Sequence, residues 1–134
     1  MKKIISLRQN DREMARLNYI RFSDGGVEIR VSLFLFKENA NYIAYCPSLD
    51  LSGYELTEEK ALADFDSMLA DYLSWQLRNG TLRADLMSHG WKLGKVRGNE
   101  PALSDMLDMN EQLRSLVTHS FKKTNVSKTC PMPA

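Results

Sequence analysis

The chain has 134 residues, a net charge of +1, 43% hydrophobic and 26% charged residues. That length fits one domain, or one domain with a short appendage, and the composition excludes a disordered or low-complexity chain. No apolar run approaches the ~20 residues that cross a bilayer, and the near-neutral charge does not advertise the clearly basic domain typical of nucleic-acid binders.

The N-terminus, MKKIISLRQNDREMARL, opens on a basic pair. Charged residues interrupt it before a signal-peptide core develops, which points to the cytoplasm. Residues 1–16 carry only a weak pattern, irregular or partly helical. In residues 17–22, Ile20 and Phe22 alternate against Tyr19 and Arg21, predicting a strand. Ser23-Asp24-Gly25-Gly26 then supplies a turn, because glycine tolerates the positive φ of tight hairpins. Residues 27–36, VEIRVSLFLF, form the clearest strand. Ile29, Val31, Leu33 and Leu35 share one face; Arg30, Ser32, Phe34 and Phe36 share the other. A polar loop at 37–41 leads into the apolar run 42–46, which ends at Pro47 because proline lacks the amide that would continue a ladder. One face of this hairpin can be covered by a helix. Phe34 and Phe36 then need a second cover, either the C-terminal segment or another subunit, which is the sequence argument for a homo-oligomer, a dimer above all.

A short polar strand at 53–56 precedes a long amphipathic helix. Thr57 is suited to N-cap it, Glu58 and Glu59 place negative charge where the helix dipole favours it, and Asn79-Gly80 stops it. Ala61, Leu62, Phe65, Met68, Leu69, Tyr72 and Leu73 recur at helical spacing, with Asp64, Ser67, Asp71, Ser74 and Arg78 mostly opposite. A short helix follows at 81–87, closed by His89-Gly90, and residues 91–96 alternate as a short edge strand guarded by lysines. Arg97-Gly98-Asn99-Glu100-Pro101 marks a boundary. It divides a sheet–helix domain, 1–98 with its core at 27–96, from a C-terminal appendage, 99–134, with one weak helix at 103–117 and an extended tail. The fold class is α+β, a small, mostly antiparallel sheet with one long helix on a face.

At residues 42–80 these elements carry a resemblance. YIAYCPSLDLSGYELTEEKALADFDSMLADYL resembles the N-terminal domain of HicB-family antitoxins. That family shows an aromatic strand, a proline, an acidic-apolar corner, a polar strand, a Thr-Glu-Glu helix start and an Ala-Leu helix. With the strand from Val27 the resemblance covers about half of the chain, and its specificity lies in the order and spacing of motifs that are individually weak. It implies a partial RNase H-like fold that binds protein, and a partner of the HicA type, a small basic ribonuclease toxin. HicB proteins often add a helix-turn-helix or ribbon-helix-helix that binds operator DNA. Residues 99–134 offer one weak helix and a tail, so operator binding is not carried over.

Charge is uneven beneath the small net value. Residues 58–80 hold five acids against two bases, and residues 81–134 hold eight bases against five acids. The leading reading is therefore a non-enzymatic antitoxin-type protein without a cofactor, meeting a basic partner through Asp64, Asp71 and Trp75. Trp75 falls beside the apolar stripe and is the better interface anchor, whereas Tyr42, Tyr45 and Tyr54 read as packing residues. The alternative is a nucleic-acid-binding regulator using Lys92, Lys95, Arg97, Lys122 and Lys123.

Other chemistry has little support in the sequence. A metal-dependent nuclease would need converging carboxylates, and Asp50, Asp64 and Asp71 are better explained as solvated acids and local caps. His89 reads as a helix-end residue and His119 has no carboxylate or nucleophile nearby in sequence. Cys46 and Cys130 lie outside any CxxC pattern and read as free thiols.

Overall fold

The computed structural model describes residues 18–118 and 120–133, so the readings for residues 1–16 and for His119 lie outside the described residues. Along the chain the elements are β1 (Tyr19–Ser23), β2 (Gly26–Glu38), β3 (Asn41–Cys46), β4 (Leu51–Glu55), α1 (Glu58–Asn79), α2 (Leu82–Ser88), β5 (Lys92–Leu93), β6 (Arg97–Asn99), α3 (Leu103–Met109), α4 (Glu111–Leu116) and β7 (Lys122–Pro131). All seven strands join one sheet, and every pairing in it is antiparallel.

β2 is the spine. β7 pairs with residues 26–35 of it, while β1 pairs with 26–29 and β3 with 34–38. A strand has two edges, so β1 and β3 must share the edge opposite β7, one behind the other. Beyond β3 lies β4; beyond β1 lie β6 and then β5.

The two faces of β2 are covered differently. Val27, Ile29, Val31, Leu33 and Leu35 are buried with Ala61, Phe65, Leu69 and Leu73 of α1, as the alternation predicts. α1 starts and stops where its caps place it. The Thr57 side chain accepts the amide of Lys60, and Gly80 takes the left-handed conformation at φ 67°. The closest approach to the sheet is at Gly53, where a Cβ would lie 2.3 Å from the carbonyl oxygen of Ala61. On the other face, Phe34 and Tyr45 pack with Met106 and Leu113, and Phe36 and Ile43 join them half-buried. Their cover is thus the C-terminal segment of the same chain, and that end of the face is not left for a second copy.

The C-terminal third differs from expectation. The expected boundary falls inside the sheet, since residues 97–99 are β6 and hydrogen-bond with β1. The single weak helix is two, broken at Asn110, whose side chain turns back to cap α4 through the amide of Leu113. The tail is not an appendage. β7 lines the whole first part of β2, with Val126 and Cys130 packed toward the main core, and Lys122 and Lys128 reach Glu58 and Asp66 of α1 at 2.9 and 2.8 Å. Both thiols are free, Cys46 buried and Cys130 half-buried.

Candidate partner-binding surface

Residues 64, 68, 71 and 75 are spaced four, three and four apart, which puts them in one stripe along a helix. On α1 that stripe runs beside the core-facing row; Asp64 reaches β4, and Asp71 borders an open cavity with Arg78 and the end of β7. Asp71 is exposed, and Met68 and Trp75 are 42% and 56% exposed although both are large apolar groups. On β4, Tyr54 is also 56% exposed, so this tyrosine is not the packing residue its sequence context predicts; paired with Ile43, its side chain lies on the face away from α1 and outside the stripe. Tyr45 is buried and Tyr42 half-buried, and Trp91 is buried with its indole N–H donated to the Ser48 carbonyl.

Asp64 has a structural task as well. Its carboxylate accepts the backbone N–H of Tyr54 at 3.0 Å. Tyr54 sits opposite Ile43, and that N–H points away from β3 toward the outer edge of the sheet. An occupied amide cannot pair with an incoming strand, so Asp64 guards this edge against strand addition. The stripe therefore offers side chains, in an acidic setting, rather than a backbone ladder.

The five predicted basic residues are not assembled into one patch. Arg97 lies on β6 opposite Arg21, Lys92 lies on β5, and Lys95 lies in the turn between them, its carbonyl accepting from Arg83. Lys122 and Lys123 lie opposite Leu35 and Phe34. Arg21 is opposite Glu28, six positions from Phe34 along β2, so the two groups stand roughly 20 Å apart at a strand rise of about 3.3 Å per residue. Adjacent strand positions face opposite ways. Lys122 accordingly turns to α1 and Lys123 to the other face.

Asp50 and His89 have local partners. Asp50 adopts φ 53° at the corner after Pro47 and accepts the Tyr45 hydroxyl at 3.2 Å. Aspartate tolerates this conformation better than most residues. His89 ends α2 with Nδ1 2.8 Å from the Asp85 carbonyl, and it shares an open cavity of about 330 Å³ with Asp50 and Glu111. Among the described residues no group of three or more His, Cys, Asp or Glu side chains is placed to hold a metal ion.

Sequence reasoning missed Glu100. Its carboxylate is buried and accepts from the backbone N–H and hydroxyl of Ser32, the Ser48 hydroxyl and the Asn18 amide. No local signal marks it, because Gly98-Asn99-Glu100-Pro101 has the composition of a linker.

No family model, curated protein or solved structure matches this chain. Fold and surface together define an α+β protein with an open, antiparallel sheet, a long helix across one face, and an acidic, aromatic stripe on that helix. Among the described residues no helix is long and apolar enough to cross a membrane.

Proposed function

We propose that this protein is a non-enzymatic binding module of the HicB antitoxin type, which docks a small basic protein such as a HicA-like ribonuclease on α1 and neutralises it. The observation that carries the reading is the stripe Asp64, Met68, Asp71 and Trp75, in which two large apolar groups stand exposed among carboxylates. Exposed aromatics flanked by carboxylates combine hot-spot anchors with charges that steer a basic partner. The four-stranded layer β7-β2-β3-β4 beneath one helix agrees with the partial RNase H-like fold that the resemblance implies. A cytoplasmic location goes with this reading. Operator DNA has no part in it, and the sequence argument for a dimer falls away, since the chain covers its own Phe34 face.

The test is co-expression with any small basic protein encoded beside this chain, reading co-purification and rescue of growth. A stable complex that Trp75→Ala weakens supports the proposal. Failure to bind, together with failure to relieve toxicity, overturns it.

A further inference from the structure

The sheet face turned away from α1 changes character along its length. Its C-terminal end, at Phe34 and Phe36, lies under α3 and α4. The rest is polar, and register fixes what shares it. Arg97, Arg21, Glu28 and Thr129 form one row across β6, β1, β2 and β7. Lys92, Asn99 and Tyr19 form the next across β5, β6 and β1. On β2 and β7, Arg30 is opposite Ser127, Ser32 opposite Asn125 and Phe34 opposite Lys123. Arg21, Lys92, Arg97, Lys123, Asn99, Ser127 and Thr129 are all exposed.

Five cations thus share a face on which register places the carboxylates Glu28 and, at the far end of β2, Glu38, besides buried Glu100. Arg21 and Arg97 stand directly opposite each other, an arrangement that costs stability unless an anion lies nearby. Glu28 supplies part of that charge, 3.5 Å from Arg21. The ring of Tyr19 lies between the two arginines, with their guanidinium carbons 5.3 and 4.4 Å from its centroid. The hydroxyl of Tyr19 donates to Glu28, which fixes the ring on the face. Nearby, the Arg30 guanidinium donates to the Ser127 hydroxyl at 3.3 Å, at an exposed position of the same face.

We infer that this face of β5, β6, β1, β2 and β7 is a binding platform for single-stranded nucleic acid. Phosphates meet Arg21, Arg97, Lys92 and Lys123. Bases stack on the tyrosine–arginine layer, beside Arg30 and Ser127. An aromatic ring between guanidinium planes on an exposed sheet suits unpaired bases, which present their faces. A duplex hides those faces and is read by an element that enters a groove, whereas the polar part of this face is made of strands alone. The surface is distinct from the acidic stripe of α1, so the inference stands apart from the protein-docking proposal.

The experiment is fluorescence anisotropy with labelled oligouridylate and oligothymidylate of about 12 nucleotides, and a duplex of the same length, across roughly 50–200 mM salt. Either single strand should bind with an affinity that falls steeply with salt, and more tightly than the duplex. Arg21→Ala with Arg97→Ala, both at exposed positions, should weaken binding tenfold or more and flatten the logarithmic salt slope by about 1.4, two phosphate contacts at ~0.7 each. Tyr19→Phe should retain binding and Tyr19→Leu should lose it, with circular dichroism confirming that each is folded. Lys122→Ala, on the opposite face, should change nothing. Absence of salt-dependent binding, equal or tighter binding of the duplex, or a loss in Lys122→Ala as large as in the arginine pair would overturn the inference.

Discussion

The Oε2 atom of Glu100 accepts the backbone N–H of Ser32 at 3.0 Å, where the ladder along β2 has no strand to receive it. β1 stops pairing at Ile29 and β3 begins at Phe34, so the intervening edge of β2 would otherwise present buried, unpaired amides. A side chain stands in for the missing strand. The same carboxylate collects the hydroxyls of Ser32 and Ser48 and the amide of Asn18, which ties β1, β2 and the β3–β4 corner together. Glu100→Ala should cost on the order of 3–5 kcal/mol, because each stranded donor carries its own desolvation penalty. Glu100→Gln keeps an acceptor at one oxygen and should cost distinctly less. Urea unfolding of both variants checks this, and equal, small losses would show that the network is not what closes the gap.

Gly53 makes a second test of how the layers meet. Its Cβ position lies 2.3 Å from the Ala61 oxygen and 2.5 Å from the Phe65 nitrogen, both backbone atoms that move only if α1 moves. Gly53→Ala should therefore destabilise by about 1–3 kcal/mol, as overpacking does, even though alanine is otherwise the milder residue in a strand. Phe65→Ala, at a fully buried position, should cost about 3–5 kcal/mol. Thermal unfolding measures both; a neutral Gly53→Ala would mean that the helix rides higher on the sheet.

What was legible in the sequence was local. Thr57, the spacing of Phe65, Leu69 and Leu73, and Gly80 each act within a turn or two of their own position, and α1 begins, faces and ends as they dictate. β7 is the opposite case. Its partner on β2 lies about a hundred residues earlier, with Gly26 against Pro131, and KKTNVSKTCP carries lysines where a core strand would carry valines. Those lysines are consistent with the fold, since Lys122 and Lys128 reach acids on α1. Glu100 was hidden for the same reason, because its burial follows from a gap between two strands and not from its neighbours in sequence. Of the docking stripe, Asp64, Asp71 and Trp75 follow from helical period alone. Asp64 meets the Tyr54 amide only through the β4–α1 contact, and Arg21 meets Arg97 only through the β1–β6 register.

Trp75 separates docking from folding. The side chain is 56% exposed, so Trp75→Ala should leave stability within about 0.5 kcal/mol. If α1 is the docking surface, the same change should weaken a basic protein partner by about 2 kcal/mol, roughly 30-fold in affinity. Asp71→Lys should act mainly on the association rate and on its salt dependence. Stopped-flow binding and chemical denaturation on the same samples distinguish the two effects. A parallel loss of stability and affinity would place Trp75 in the scaffold.

Alkaline pH should unfold this protein through groups the core keeps protonated. Burial pushes the Cys46 thiol from its ordinary 9.0 up to about 12, with the nearby Glu100 carboxylate adding to the shift. Burial likewise raises the Tyr45 hydroxyl to about 12, and Tyr72 is raised by burial and by its hydrogen bond to Asp85. In each case the unfolded chain releases its proton first. Between the unfolded and folded values the native state holds more protons, so stability is complete below about pH 9 and falls as pH rises toward 12. Each group can steepen the fall by up to about 1.4 kcal/mol per pH unit. Cys46→Ala should flatten the first part of the decline, from pH 9 to 10, where the thiol, with the lowest unfolded value of the three, titrates most. Urea midpoints at a series of pH values from 7 upward give the profile, and stability that stays level through pH 10.5 would show that these groups reach water in the folded state.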